Sequence, residues 1–323
     1  MNSISIKRLS SFSLLLSAIL IGHGLAVSYN ARQIFQFPSK PFTSIENVAL
    51  RPSGDLILTT TSAPTIYLLD PTQVTPSAEL LYTFPDATSC LGITETSSDV
   101  FAVVVGNVSL TTFGGVPGSF SIWSVNLAQS STPIVKKIAA IPQAKILNGL
   151  THLQDNPNIV LAADSEAGIV YSLNIVSGVS AVAIQNSAFS PGGKTLGING
   201  LHVDAAGNNL YFTNSAMGTF GRIPIDGNNG EATGAATVIA TAAEGDNYDD
   251  FAIDGQGNSW IAVHPDILTE VTEAGVQTTI LNSTQLLQPT SAIFSAGKQT
   301  LYIVTDGDAE AHTQSGQVYE VSI

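Results

Sequence analysis

Short apolar and β-branched runs recur along this chain in a fixed order, separated by turn residues. A nine-residue frame, apolar at its third and fifth positions and closing on glycine, opens each set. It reads Glu46-Asn-Val-Ala-Leu-Arg-Pro-Ser-Gly54, Asn199-Gly-Leu-His-Val-Asp-Ala-Ala-Gly207 and Asp249-Asp-Phe-Ala-Ile-Asp-Gly-Gln-Gly257, with weaker copies starting at Leu91, Asn148 and Thr290. The starts lie 45, 57, 51, 50 and 41 residues apart, the period of propeller blades. After each frame comes a turn and a second run, as in Leu56–Thr60, Val100–Val104, Ile159–Ala163, Leu210–Thr213, Ser259–Ala262 and Leu301–Thr305. Third runs such as Thr65–Leu69, Ser121–Val125, Ile169–Leu173 and Gln317–Val321 follow, then more polar fourth runs such as Ala78–Tyr82 and Ile134–Ile138. Short strands bounded by Gly, Asn, Asp and Pro predict an all-β fold, and no stretch carries a helical period.

The strand count predicts a closed ring. Arg32–Phe37 precedes the first frame and has no blade of its own, whereas the last unit, ending at Ile323, lacks a fourth strand. Pairing the two gives a six-bladed β-propeller of four-stranded blades, closed by the N-terminal strand and left with few exposed edges. A β-sandwich or a parallel β-helix would not explain a period near 50 with one displaced strand. The propeller is expected to be a single domain over 27–323, and a closed ring needs no partner, so a monomer is expected.

Residues 1–26 read as an export signal. Lys7 and Arg8 precede an apolar stretch from Leu9 to Leu25, and Gly24 and Ala26 place small residues at −3 and −1 of a cleavage point before Val27. The competing reading is a membrane anchor, but His23 and Gly24 interrupt a stretch already short for a bilayer span. The expected location is therefore outside the cell or in the secretory lumen, with no membrane association after cleavage. Asn107-Val-Ser109 and Asn282-Ser-Thr284 form sequons compatible with glycosylation there.

The chain carries 11 Lys and Arg against 25 Asp and Glu. Removing the signal takes two cations and leaves nine against 25, a net −16, which argues against nucleic acid as a partner. Charged residues make up only 11%, against about 25% in typical domains, so uncharged polar groups must cover the surface. Cys90 is the only cysteine. Without an internal disulfide, stability must come from a large closed core, which about 295 residues can supply.

In a propeller the innermost strand of each blade runs along the central channel, so the frame starts converge at one end of it. Around the ring they are Glu46, Leu91, Asn148, Asn199, Asp249 and Thr290. Two carboxylates and two carboxamides would suit a hard divalent cation, Ca²⁺ or Mg²⁺. Without one, Glu46 and Asp249 would repel each other unless they shared a proton. A hydrated polar plug is the alternative use of the same groups.

The repeated frame resembles that of the senescence-marker/gluconolactonase group of six-bladed propellers. The likeness rests above all on Asn199-Gly-Leu-His-Val-Asp204 followed by Leu210-Tyr-Phe-Thr-Asn214, and it covers Ile45 to Ile323. In hydrolytic members a Glu of the first blade, Asn residues of the third and fourth and an Asp of the fifth hold the metal. The resemblance thus implies Glu46, Asn148, Asn199 and Asp249 as ligands, with Asp249 as general base. Glu46 is followed by Asn47-Val and Asp249 by Asp250-Phe where the hydrolases carry Gly-Pro and Gly, so the backbone beside the ligands differs. Ile45–Arg51, Val100–Asn107, Leu147–Leu150, Ala163–Gly168 and Asp249–Asp254 look closer to a fungal secreted branch. That branch includes the eupenifeldin-type hetero-Diels–Alderases of tropolone–sesquiterpenoid biosynthesis.

Other constellations are weaker. His152, His202, His264 and His312 show no metal spacing, and His152 and His202 read as packing residues of inner strands. There is no Gly-x-Ser-x-Gly elbow. Gly114-Gly-Val-Pro-Gly118 lacks the lysine of a phosphate loop and reads as a turn, Asp306–Glu310 as a solvated loop, and Cys90 as a small buried hydrophobe.

Three functions fit. The first is a pericyclase that positions a tropolone- or polyketide-derived quinone methide against a sesquiterpene alkene, needing neither nucleophile nor cofactor. The polar mouth could also assist loss of water from the precursor, with Glu46 or Asp249 as acid or base. The long loops Leu110–Phe120 and Ala183–Ile198 would shape the pocket, and Phe113 and Met217 are candidates for apolar substrate contacts beside Asn148 and Asn199. The second is a metal-dependent lactonase and the third a non-catalytic ligand-binding propeller.

Overall fold

The computed structural model describes residues 29–323 except 113 and 131; the signal segment and Phe113 lie outside the described residues. Six four-stranded antiparallel sheets follow one another around a ring. Their inner strands are Ile45–Leu50, Ser89–Ser97, Leu147–His152, Ile198–Val203, Asn247–Ile253 and Pro289–Phe294, in blades 1 to 6. The described helical content is one 3₁₀ turn, Ser187–Phe189.

Burial grades outward through each blade for a reason visible in the residues. Second strands such as Leu56–Thr60 are buried at every position, because both sheet faces meet a neighbouring blade. Fourth strands such as Ile134–Ala140 alternate or are exposed, and there Lys136 and Lys137 are tolerated. The buried hydrophobics divide into six clusters, each shared by two adjacent blades. The core is thus a ring of six wedges rather than one central mass.

Asn30–Gln36 is the outer strand of blade 6 and pairs antiparallel with Gln317–Ser322, with Arg32 opposite Glu320 and Gln33 opposite Tyr319. Ile34, the bulged residue of this strand, packs with Phe37 against Tyr302, Val304 and Val318. Arg32 also meets Glu320 at 2.8 Å, but its side chain is 64% exposed, so the ion pair contributes little. Closure therefore rests on Ile34 and the backbone ladder. Ile34→Asp, which buries a charge at this seam, should destabilise the fold by at least about 3 kcal/mol, and Arg32→Ala by less than about 1 kcal/mol. Urea denaturation of the two variants measures this; equal effects would remove the seam from the account.

Candidate functional site

Each inner strand carries one extra residue at the start of its frame. Ile45 pairs with Thr60 but Asn47 with Thr59, so Glu46 has no opposite number. The ladder slips in the same way after Cys90, Leu147, Ile198, Tyr248 and Pro289. A bulge re-aims side chains at the end of a sheet, and six of them in phase build two polar levels across the channel.

The inner level comes from the second frame position. In blades 2, 3 and 4 it is Gly92, Gly149 and Gly200, and each lets the next inner strand approach closely. A Cβ on Gly200, for example, would lie 2.7 Å from Asp250 Cα. In the other three blades it is Asn47, Asp250 and Ser291, which meet near the axis. Asp250 Oδ2 accepts from Asn47 Nδ2 at 2.9 Å and Ser291 Oγ at 3.0 Å, while Oδ1 faces His202 Nε2 at 2.9 Å. This knot fills the middle of the channel.

The outer level lines a cavity of about 390 Å³ at the mouth, and Glu46, Asn148, Asn199 and Asp249 all border it. Asn199 Nδ2 donates to Ser215 Oγ at 2.9 Å, and that hydroxyl donates to the Tyr248 carbonyl. The carboxamide plane is thereby held and its oxygen left for the cavity. Leu91 instead joins the core between blades 2 and 3, and Thr290 Oγ1 is spent on the Ile45 carbonyl at 2.9 Å.

Two residues that the sequence reading passed over complete the site. Asp306 follows the second strand of blade 6; it is 8% exposed and accepts a hydrogen bond from Ser44 Oγ, so it is a buried wall of the cavity rather than part of a solvated loop. Ala309 and Glu310 of the same loop also border the cavity. His264 ends the second strand of blade 5, with Nε2 3.2 Å from Asp249 Oδ2. That approach lies off the ring N–H axis, so the buried Nε2 has a charged neighbour but no well-formed hydrogen bond. Neither residue belongs to the frame. Their common signal was position, each at or just past the end of a second strand that finishes at the mouth.

The electrostatics follow from crowding. Burial, then Asp249, Asp306 and Asp250, hold the Glu46 carboxyl well above the usual range, which favours its neutral acid. Burial raises Asp306 to about 6, against the opposing effects of Ser44 and His264. Burial raises Asp249 as well, although His264 pulls the other way. Burial lowers His264, but Asp249 and Asp306 together overcome it and leave its pKa raised. The mouth therefore offers an acid at Glu46 beside a carboxylate–imidazole pair.

The oxygen-rich donor set has the chemistry of a hard-cation site. Among the described residues no three His, Cys, Asp or Glu side chains are gathered to hold a metal, so a cation here would depend on the carboxamides of Asn148 and Asn199 beside Glu46 and Asp249, the last of which also faces His264.

The remaining candidates separate. Met217 lies in the turn after the second strand of blade 4 and is 43% exposed; its neighbours Ser215 and Ala216, not Met217, border the cavity. Of the loops, 107–120 contributes Thr112, while the second, whose preceding strand runs on to Gln185, contributes Lys194, Thr195 and Leu196. Lys194 Nζ donates to the Ala216 carbonyl at 2.9 Å and ties that loop to the rim. Asn282 is exposed, whereas Asn107 is half-buried with its Oδ1 enclosed. Cys90 is fully buried, and burial pushes its thiol pKa well up, away from nucleophilic use. His152 and His202 are not simply packed: both line a second cavity at the far end of the channel. No helix among the described residues is long and apolar enough to cross a membrane.

Fold and site together define a six-bladed β-propeller with an acidic cavity at one mouth of its channel. Residues 177–307 match the family model described as SMP-30/Gluconolactonase/LRE-like region, a segment that holds Asn199, Asp249, His264 and Asp306. The chain is similar to a Sarocladium schorii protein provisionally named hetero-Diels-Alderase asR5, at 28% identity over 239 residues, 66% of this chain and 59% of that protein. A provisionally named hetero-Diels-Alderase of a Phoma species is 28% identical over 140 residues, 41% of this chain and 39% of its own length. The matched stretches thus span about three-fifths and two-fifths of these relatives. Among solved structures, the calcium-binding protein regucalcin of Agrobacterium tumefaciens has the same fold, with a TM-score of 0.63 at 15% identity, covering 92% of this chain and 94% of that one.

A carboxyl whose pKa rises on folding takes up protons, so its contribution favours the fold at low pH and is lost as pH rises through the folded value. For Asp306 that loss runs from its ordinary 3.8 to about 6. Asp306→Asn should therefore gain stability relative to the parent as pH rises from 4 to 7.5, by up to about 3 kcal/mol. Urea midpoints at both ends of the range measure it; parallel pH profiles for parent and variant would show that Asp306 is not held protonated.

Proposed function

We propose that this protein is a pericyclase of the hetero-Diels–Alder type, acting on small, largely apolar organic molecules at the channel mouth. The similarity over 239 residues to a protein provisionally named for that reaction carries the reading. The mouth supports it with a cavity of about 390 Å³ whose side chains supply an acid, a carboxylate–imidazole pair and two carboxamides.

The residues suit a two-stage sequence. A hydroxymethyl-bearing tropolone would lose water to become an electron-poor quinone methide. Its ring hydroxyl proton passes to Asp249, supported by His264, as the departing hydroxyl takes a proton from Glu46. One C–O bond breaks, one water leaves, and Glu46 and Asp249 end with their protons exchanged. The cycloaddition then forms one C–C and one C–O bond between the oxadiene and an alkene with no proton transfer. Asn148 would donate to the oxadiene oxygen and polarise it, Asn199 Oδ1 would accept from a substrate hydroxyl, and the walls would hold the partners in near-attack geometry. The apolar N-terminal stretch from Leu9 to Leu25 supports export from the cytosol before this work is done.

Glu46→Gln should slow dehydration of the precursor by about 10²-fold, the cost of one preorganised group, and leave the adduct ratio from a preformed quinone methide unchanged. Ala216→Leu, which crowds the cavity wall, should change that ratio with little effect on dehydration. Product analysis with a tropolone precursor and a humulene-type alkene measures both. Chelator-sensitive opening of simple lactones, with no adduct formed, would replace this reading with a metal-dependent lactonase.

A further inference from the structure

The channel has a second cavity, at the end opposite the mouth and sealed from it by the knot of Asn47, Asp250 and Ser291. Its volume is about 380 Å³, and every blade contributes wall from its inner strand. Val48, Leu50, Ile93, Leu150, Val203 and Ile293 make that wall apolar. Its polar features are His202 and His152, Thr94 and Glu95 from blade 2, and Asn47 and Ser291 at the base; Thr94 Oγ1 meets His152 and Glu95 Oε1 accepts from the Asp99 N–H.

His202 is the informative group. Its ring packs edge-to-face on Phe251 at 4.7 Å, and Nε2 lies 2.9 Å from the buried Asp250. A carboxylate oxygen accepts, so Nε2 presents the proton to Asp250, and in the neutral ring Nδ1 is then the free acceptor. Among the described residues Nδ1 has no hydrogen-bond partner, and the side chain is 34% exposed into the cavity. His152 Nδ1 is 3.2 Å from Thr94 Oγ1. Burial, with His202 nearby, lowers the His152 pKa and keeps that ring neutral.

We propose that this far cavity is a second small-molecule site, which binds a flat apolar molecule through a phenolic or enolic hydroxyl donated to His202 Nδ1. The apolar wall supplies affinity by removing hydrocarbon from water, and the oriented acceptor at His202 supplies selectivity. A carboxylate is disfavoured because the Asp250 charge lies directly behind the imidazole. An aprotic hydrocarbon leaves the Nδ1 lone pair desolvated and unmatched, which penalises it against the hydroxyl compound.

Two probes of equal shape test this: 2-naphthol and 2-methylnaphthalene, titrated into the full protein by calorimetry. The parent should bind 2-naphthol saturably and at least tenfold more tightly. His202→Leu should bind both about equally, losing the preference but not the apolar affinity. Ile293→Trp, which fills the cavity from its rim, should abolish binding, whereas Ala216→Trp, which fills the mouth cavity instead, should preserve it. Thermal melts confirm that each variant is folded; should His202→Leu fail to fold, the parent's probe preference and the two tryptophan variants decide. Equal affinity of the parent for both probes, no saturable binding, preference retained by folded His202→Leu, or loss in Ala216→Trp rather than Ile293→Trp would each overturn the proposal.

Discussion

On the channel axis the buried carboxylate of Asp250, from blade 5, receives Asn47 of blade 1, His202 of blade 4 and Ser291 of blade 6. An isolated carboxylate at 4% exposure would be costly, but three partners offset much of that cost and bind four blades at one point. The glycines of blades 2, 3 and 4 complete the arrangement, because only a residue without Cβ lets neighbouring inner strands come this close. The knot divides the channel into two cavities with different chemistry. It also sets a carboxylate beneath the mouth, which adds to burial, Asp249 and Asp306 in raising the Glu46 pKa.

The mouth is built against its own stability. Glu46, Asp249 and Asp306 crowd around a partly enclosed space, and burial raises all three. A fold optimised only for stability would not place three acids there. The inter-blade clusters and the closing strand carry that burden, as expected where strained polar sites are supported by a large apolar core. The result is a carboxyl pushed toward its neutral acid beside a carboxyl–imidazole pair.

Much of this was legible in the residues. The frame recurs because each inner strand meets the same environment, so its period revealed six blades, and the missing strand of the last unit pointed to closure through Arg32–Phe37, which the structure forms as Asn30–Gln36. Equal phase also brought Glu46, Asn148, Asn199 and Asp249 to one cavity. The frame alone did not separate them from Leu91 and Thr290, which share the phase but turn into the core or onto a backbone carbonyl. His264 and Asp306 were missed because they lie outside the frame, at and just past the ends of second strands that finish at the mouth. The turn of Met217 reaches the rim through Ser215 and Ala216, while Met217 itself is 43% exposed and does not border the cavity.

The amino-acid sequence by itself determined what is periodic: strand order, blade number, the closing strand and which residues begin each inner strand. Those follow from local patterning, where side-chain period and turn chemistry act over a few residues. The tertiary structure alone decided what depends on contacts between residues about 50 to 260 positions apart. Those contacts include Asp250 with Asn47 and His202, Asp306 with Ser44, and the division of one channel into two cavities. Charge coupling and burial act through space, so the acid at Glu46 and the free nitrogen at His202 exist only once the six blades have closed.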